Sequence, residues 1–174
     1  MLVVAVIGSK KSGKTTTIEA LVRGLTKRGY RVATVKHVSE KGFTIDTGGK
    51  DTWRHAQAGA QTIVAVASKE LAVIKKVDTT RLSLQEIVKN CQDNIDIIIL
   101  EGFKRLVEHE PTIPKIVTVR TFNEAAEKAK RFKPIIAFIG SAALDGKSLG
   151  IPVMNILEDP EKLVKIVERN IKTL

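Results

Sequence analysis

The residues from Gly8 to Thr15 read GSKKSGKT and fit the spacing G-x-x-x-x-G-K-[ST]. The apolar run Leu2 to Ile7 precedes them, and apolar residues follow at helical spacing, at Ile18, Leu21, Val22 and Leu25. A loop that leaves a strand and opens a helix is the context in which this pattern binds phosphate groups. The stretch therefore predicts a site for the di- or triphosphate of a nucleotide.

Each residue type in this loop has a physical reason. Gly8 and Gly13 permit dihedrals and close approaches that a Cβ atom would obstruct, so successive N–H groups can point at phosphate oxygens. The Lys14 ammonium can reach the β and γ phosphates, the Thr15 hydroxyl can ligate Mg²⁺, and Thr16 can add a further contact. The predicted nucleotide-binding residues are Gly8, Ser9, Lys10, Lys11, Ser12, Gly13, Lys14, Thr15 and Thr16.

A magnesium ion at Thr15 needs an acid at the same edge of the sheet. Asp96 and Glu101 flank the apolar run from Ile97 to Leu100, and an extended strand separates them by roughly 16 Å. Ligands of open α/β sheets collect at the carboxyl ends of the strands. We therefore expect Glu101 to be the metal-binding acid and Asp96 to be a surface residue at the start of the strand.

The stretch from Lys36 to Ala60 is rich in Gly, Lys and Asp and poor in core-forming residues, which is typical of a functional loop. Lys36 and His37 follow the second apolar run, on the edge expected to carry the phosphate loop. Asp46 is a candidate for binding the magnesium or orienting an attacking water, so Asp46 and Glu101 are the candidate catalytic residues. The alternative, in which His37 and Asp46 are exposed residues with local hydrogen bonds, stays open on chemistry alone.

Eight apolar, β-branched runs are expected to form strands that position these residues. They lie at Leu2 to Ile7, Arg31 to Val35, Thr62 to Ala67, Leu71 to Val77, Ile95 to Leu100, Lys115 to Val119, Ile135 to Ile139 and Pro152 to Ile156. Several lack a polar face, as in parallel strands that are buried on both sides. The runs at 62–67 and 71–77 are separated only by Ser-Lys-Glu, too short a link for a crossover, and they predict an antiparallel hairpin.

Helix-start signals occur between these runs. Ser83 with Glu86, and Thr121 with Glu124, have the spacing of capping boxes, and Asp159-Pro160 has the N-cap and first-turn proline of a final helix. The residues 51–58 predict a short helix. The alternation predicts an α/β fold with a doubly wound, mostly parallel sheet and helices on both faces.

Length, charge and composition exclude several classes of protein. The 174 residues favour one domain spanning 1–174, and no apolar run approaches the roughly 20 residues of a membrane helix, so a cytoplasmic protein is expected. The net charge is +10, but the basic residues are dispersed and aromatic residues make up only 4%, so no nucleic-acid partner is expected. One cysteine and three scattered histidines lack metal-site spacing.

The joined motifs resemble a known family. GSKKSGKTT, then KH, then GKDTWRHAQAGA and finally IIILEGFK together are similar to the molybdopterin-guanine dinucleotide biosynthesis protein B (MobB) family. The resemblance implies a P-loop fold, a homodimer, and GTP with Mg²⁺ that is hydrolysed weakly. It also implies a task, which is to assist the guanylyltransferase that attaches GMP to molybdopterin in making the molybdenum cofactor.

The resemblance transfers roles to particular positions. Gly8, Gly13, Lys14, Thr15 and Thr16 match the phosphate loop, and Thr15, Asp46 and Glu101 become the candidate Mg²⁺ ligands. The other matched motif residues are Lys36, His37, Gly49, Lys50, Asp51 and Lys104.

The chain departs from the family pattern at two points. Val38, Ser39 and Glu40 follow KH, where the family often has further histidines. No N-K-x-D motif that reads guanine is present; Asp145 in GSAALDG is a candidate for that role, with an ordinary surface aspartate as the alternative. Guanine specificity is therefore implied by resemblance alone.

Two other functions use the same loop. A small-molecule kinase would need an arginine-bearing lid, for which Arg54, Arg81, Arg105 and Arg120 form no clear cluster. A metal-insertion GTPase would need a cysteine and histidine site. Molybdopterin is a further candidate ligand, because its phosphate would be attracted by the basic surface.

Overall fold

Residues 1–91, 94–140 and 148–172 are described by the structure, which is a computed structural model. The chain forms two units, one made of residues 1–37 and 83–174 and the other of residues 38–82. A single domain over residues 1–174 stays a prediction.

All eight predicted strands are present. They are β1 (Leu2–Gly8), β2 (Val32–Lys36), β3 (Thr62–Val66), β4 (Leu71–Lys75), β5 (Ile97–Glu101), β6 (Lys115–Thr118), β7 (Ile135–Ile139) and β8 (Val153–Met154). Six of them form a parallel sheet in the order β2-β5-β1-β6-β7-β8, which belongs to the first unit. The carboxyl ends of β1, β5 and β6 therefore meet at one edge.

Of the six α-helices in the described residues, five begin where the sequence predicts them, three of these at the capping signals Ser83, Thr121 and Asp159-Pro160; the sixth, Lys104–Val107, was not predicted. They are α1 (Lys14–Lys27), α2 (Asp51–Gln57), α3 (Leu84–Val88), α4 (Lys104–Val107), α5 (Phe122–Arg131) and α6 (Pro160–Lys172). Ser83 and Glu86 form both bonds of a capping box at α3. At α5 the predicted box is only half correct: Thr121 accepts from the Glu124 N–H, but the Glu124 carboxylate accepts from the Arg120 N–H instead.

Helices cover both faces of the parallel sheet. Alternate residues of a strand point to opposite faces, so Val4 and Val6 of β1 join one buried cluster while Ala5 and Ile7 join the other. The first cluster includes residues of α1 and α6, and the second includes residues of α3, α4 and α5. The doubly wound α/β arrangement is thus confirmed.

The second unit contains the hairpin. Strands β3 and β4 pair antiparallel with Val64 opposite Val73 and Val66 opposite Leu71. The predicted hairpin is confirmed, and it forms a two-stranded sheet of its own. Among the described residues, no helix is long and apolar enough to cross a membrane.

An ion pair joins the amino ends of β2 and β5. The backbone N–H, Nε and Nη2 of Arg31 donate to the Asp96 carboxylate over 2.8, 3.0 and 2.8 Å. These bonds hold the pKa of Asp96 well below its ordinary value. Asp96 is a residue at the start of the strand, as predicted, and lies at the opposite end of β5 from Glu101.

This pair makes the acid stability of the protein depend on Asp96. Its pKa is lowered in the folded state relative to 3.8, so its contribution is complete above that value and is lost as the pH falls through the folded pKa. We expect Asp96→Asn to be less stable than wild type near pH 7 but to lose less stability between about pH 4 and pH 2. Urea midpoints measured across this range test it.

Asp51→Asn is the control, because the side chain of Asp51 is 87% exposed and its ion pair with Arg54 spans 3.8 Å. It should leave the pH dependence of the urea midpoint unchanged. Equal decreases of the urea midpoint with falling pH in wild type and Asp96→Asn would contradict the prediction.

Candidate functional site

The phosphate-loop sequence connects β1 to α1, as predicted. Gly13 precedes the first helical residue with φ +88°, a left-handed conformation that favours glycine. Gly8 meets a different constraint, since a Cβ atom there would lie 1.8 Å from Thr118 Oγ1 and 2.8 Å from the Thr118 carbonyl oxygen. The path of the loop therefore depends on how closely β6 passes beside Gly8.

The start of α1 is suited to an anion. No side chain among the described residues caps its first turn, and the first N–H groups of a helix have no acceptor within it. These groups and the positive end of the helix dipole favour phosphate. Thr15 and Thr16 are exposed at this end.

Lys14 is held over the loop by a hydrogen bond from its Nζ to the Ser9 carbonyl oxygen, at 2.6 Å. Burial lowers the pKa of Lys14, the Glu101 carboxylate partly opposes this, and the Lys36 charge lowers it further. An anionic ligand would favour the charged form of this ammonium.

Glu101 ends β5 at the same edge. It lies opposite Val6 of β1 and Lys36 of β2, and Lys36 Nζ is 3.4 Å from Glu101 Oε1. The His37 N–H donates to the Glu101 carbonyl at 3.0 Å, and the His37 ring meets the Phe103 ring edge-on, with centroids 5.3 Å apart. The structure thus brings Lys36, His37 and Glu101 together, as the sequence predicts.

Asp46 belongs to the second unit. Its Oδ1 accepts hydrogen bonds from the Thr47 N–H at 2.9 Å and from Thr52 Oγ1 at 2.8 Å. Its Oδ2 is buried and has no hydrogen-bond partner among the described residues. The local bonds agree with the alternative interpretation of Asp46, whereas the unpartnered oxygen leaves one site for a cation.

The other motif residues of the second unit surround the start of α2. Gly49 has φ +85°, Lys50 is the N-cap, and Asp51 is the first helical residue. Lys104 is the first residue of α4 in the first unit, and its pKa is lowered by burial and then by the charges of Lys128 and Lys14. Asp145 lies outside the described residues.

Magnesium fits the chemistry of the predicted donors. Thr15 and Glu101 of the first unit offer hard oxygen atoms, which Mg²⁺ prefers. Within the second unit, Asp46 offers Oδ2, which has no other partner among the described residues. In the described part of the chain, no three His, Cys, Asp or Glu side chains are grouped to hold a metal ion. A magnesium ion would therefore take its remaining ligands from nucleotide phosphates and water, as is usual for this ion.

Sequence reasoning missed the side chains that support the loop. Ser9 Oγ donates to Glu124 Oε1 at 2.7 Å, and Ser12 Oγ lies 2.6 Å from Thr118 Oγ1. Arg120 Nη2 donates to the carbonyl oxygens of two further loop residues. The available signal was position, because Thr118 ends a buried strand at the carboxyl edge and Arg120 and Glu124 follow it.

A groove opens beside the loop in the first unit. It begins at Thr16, runs along α1 past Ala20 and Arg23, and has Ile156, Leu157 and Pro160 on its other wall. The groove places apolar surface next to the exposed start of α1.

A family model described as molybdopterin guanine dinucleotide synthesis protein B matches residues 3–141. The molybdopterin-guanine dinucleotide biosynthesis adapter proteins of Haemophilus influenzae and Escherichia coli are also similar. They are 33% identical over 116 residues (66% of this chain, 61% of that protein) and 36% identical over 111 residues (63% and 60%), respectively.

A provisionally named adapter protein of the same kind from Methanocaldococcus jannaschii is 39% identical over 122 residues, which are 69% of this chain and 48% of that protein. The matched part thus spans about half to three fifths of these relatives.

The crystal structure of Bacillus subtilis MobB superposes with a TM-score of 0.77 at 24% identity over 98% of each chain. A crystal structure of molybdopterin-guanine biosynthesis protein B superposes with a TM-score of 0.75 at 24% identity, over 98% of this chain and 99% of that one. At this identity the structures show a shared fold, and the predicted fold class is confirmed.

The contact at Gly8 predicts that Gly8→Ala is destabilising. The added methyl group would overlap Thr118 and force the loop or β6 to move, and overpacking of this kind costs typically about 1–3 kcal/mol. Urea denaturation of the two proteins measures this difference. Gly48→Ala is the control, because a Cβ atom at Gly48 meets nothing within 4 Å; equal midpoints for Gly8→Ala and Gly48→Ala would contradict the prediction.

Proposed function

Since the chain belongs to the molybdopterin guanine dinucleotide synthesis protein B family, we propose that it is an adapter protein of molybdopterin-guanine dinucleotide biosynthesis that binds GTP with Mg²⁺. The main support is the juxtaposition of the phosphate loop, Lys14 and Glu101 at one edge of the sheet. Its partner is the guanylyltransferase that attaches GMP to molybdopterin, and its location is the cytoplasm. Molybdopterin itself is proposed as a second ligand, attracted by the net charge of +10.

In this proposal the chain mainly binds and orients the nucleotide. The loop N–H groups and the start of α1 bind the phosphates. The Lys14 ammonium, which donates to the Ser9 carbonyl oxygen without a ligand, donates to a phosphate oxygen instead. Thr15 and Glu101 would hold the magnesium, which supplies positive charge to the phosphates when bound.

We propose that hydrolysis is weak. Fast phosphoryl transfer requires an arginine or comparable cation that contacts the transferred group in the transition state. Arg120 is the arginine bonded to the loop, and its Nη2 donates to loop carbonyl oxygens. The arrangement favours holding a nucleotide over turning it over.

Calorimetric titration of GTP, ATP and GDP with Mg²⁺ tests this function. We expect GTP to bind, and Lys14→Ala to bind it at least roughly ten-fold more weakly, because a charge-assisted bond to phosphate is lost. Lys165→Ala is the control, since it removes the same charge from the exposed face of α6. Wild-type protein should also stimulate dinucleotide formation by a purified guanylyltransferase.

The proposal fails if wild-type protein binds no guanine nucleotide in the presence of Mg²⁺. It also fails if Lys14→Ala binds GTP as wild type does.

We further propose that the protein is a homodimer that uses one face of the hairpin. Val64, Val66, Leu71 and Val73 form two cross-strand pairs on that face, and their exposed fractions are 54%, 79%, 65% and 51%. Clustered apolar side chains of this kind mark interaction surfaces. Strands β3 and β4 form a sheet of two strands in the described residues, and the strands at the edges of a sheet can pair with another chain.

Val66→Lys should therefore weaken the dimer by roughly ten-fold or more, since it places a charge inside a desolvated apolar patch. Sedimentation velocity over a range of protein concentrations measures this. Leu157→Lys is the control, because Leu157 is similarly exposed, at 76%, and lies in the first unit. A monomeric wild-type protein, or equal dimer affinities in the two variants, would rule out this interface.

A further inference from the structure

The phosphate loop is held from outside by the start of α5. Arg120 Nη2 donates to the Lys10 carbonyl oxygen at 2.8 Å and to the Lys11 carbonyl oxygen at 3.1 Å. Ser9 Oγ donates to Glu124 Oε1 at 2.7 Å. Three successive loop residues are thus tied to two side chains that lie more than a hundred positions away in sequence.

These bonds set the direction of the loop amides. In a trans peptide the C=O group and the following N–H group point in opposite directions. Because the carbonyls of Lys10 and Lys11 face Arg120, the N–H groups of Lys11 and Ser12 point away from it. Arg120 therefore orients two of the donors on which anion binding by such a loop depends.

The loop needs this support because its backbone is strained. Lys11 has φ +58°, a left-handed conformation that costs a non-glycine residue roughly 1–2 kcal/mol. Such conformations persist where the surroundings hold them. The Arg120 bond to the Lys11 carbonyl is one such restraint.

Glu124 completes the arrangement. Its Oε2 accepts from the Arg120 N–H at 3.0 Å while its Oε1 accepts from Ser9, so one carboxylate fixes both the arginine backbone and the loop. Burial by itself raises the pKa of Glu124, but the bonds from Ser9 and Arg120 and the charge of Lys128 lower it on balance. Glu124 is therefore present as the charged acceptor at neutral pH.

We propose that Arg120 and Glu124 are positioning residues that hold the loop in its phosphate-binding conformation before any ligand arrives. This positioning role rests on the proposed function in one respect, which is that the ligand is a polyphosphate. Arg120 acts on the ligand through the loop backbone, so its effect should be the same for every ligand that presents the same phosphates.

The test compares dissociation constants of Mg²⁺–GTP and Mg²⁺–tripolyphosphate for wild type, Arg120→Ala and Arg131→Ala. Arg131 is the last residue of α5, whereas Arg120 precedes the N-cap of that helix. Removal of the Arg131 side chain changes the net charge equally, and its guanidinium makes two 2.6 Å bonds to Glu108, a residue outside the loop. We expect Arg120→Ala to weaken both ligands by roughly ten-fold, which corresponds to about 1.4 kcal/mol. The dissociation constants of Arg131→Ala should stay within about two-fold of the wild-type values, although its ligand-free melting temperature falls at least as much as that of Arg120→Ala.

Equal losses in Arg120→Ala and Arg131→Ala would overturn the inference, because charge alone would then explain them. A loss for GTP without a loss for tripolyphosphate would also overturn it, because Arg120 would then contact the nucleoside. If wild type binds tripolyphosphate but not GTP, the proposed function fails while the inference can stand. If wild type binds neither ligand, both fail.

Glu124→Gln provides a second variant should Arg120→Ala not fold. Its side chain keeps the shape of Glu124 but loses the charge, and an NH₂ donor replaces one of the two oxygens that accept from Ser9 Oγ and the Arg120 N–H. We expect it to weaken both ligands by a similar factor while the ligand-free melting temperature changes little. Unchanged affinity for both ligands would overturn the role of Glu124.

Discussion

The parallel pairing of β1 with β5 and β6 is the constraint on which the candidate site depends. Its register sets Val6 opposite Glu101 on one side and Gly8 opposite Thr118 on the other. Because all three strands run the same way, the loop, the acid and the loop support arise at one edge. Glycine at position 8 is what permits the pairing with β6 to continue to the last residue of β1.

Two carboxylates offset part of the positive charge at this edge before any ligand binds. Glu101 faces Lys36 and offsets part of the effect of burial on Lys14, and Glu124 lies within 4.0 Å of Lys128. Lys10, Lys11 and Lys36 remain exposed around it. An anion therefore meets an excess of cations, while the two partly buried carboxylates keep the partly buried lysines from being isolated charges in a medium of low dielectric.

The sequence predicted the elements well because their signals are local. Apolar, β-branched runs identified all eight strands, and the Ser83 box identified the start of α3. The strand order was not predictable in this way, because pairing β1 with β6 depends on contacts between residues about 110 positions apart. That is why Glu101, which ends its own strand, was found, and why Thr118 and Arg120 were missed.

Glu124 shows how a local signal can mislead. Its spacing from Thr121 fits a capping box, and the helix does start there, but the carboxylate serves the Arg120 N–H and the phosphate loop instead. A residue that satisfies a local pattern can thus be used for a distant contact, and only the tertiary structure separates the two. The same contact has an energetic consequence: a loop whose amides are already oriented loses less conformational entropy on binding. Restraining the loop in this way also engages the Arg120 guanidinium, whose Nη2 is bonded to two loop carbonyl oxygens.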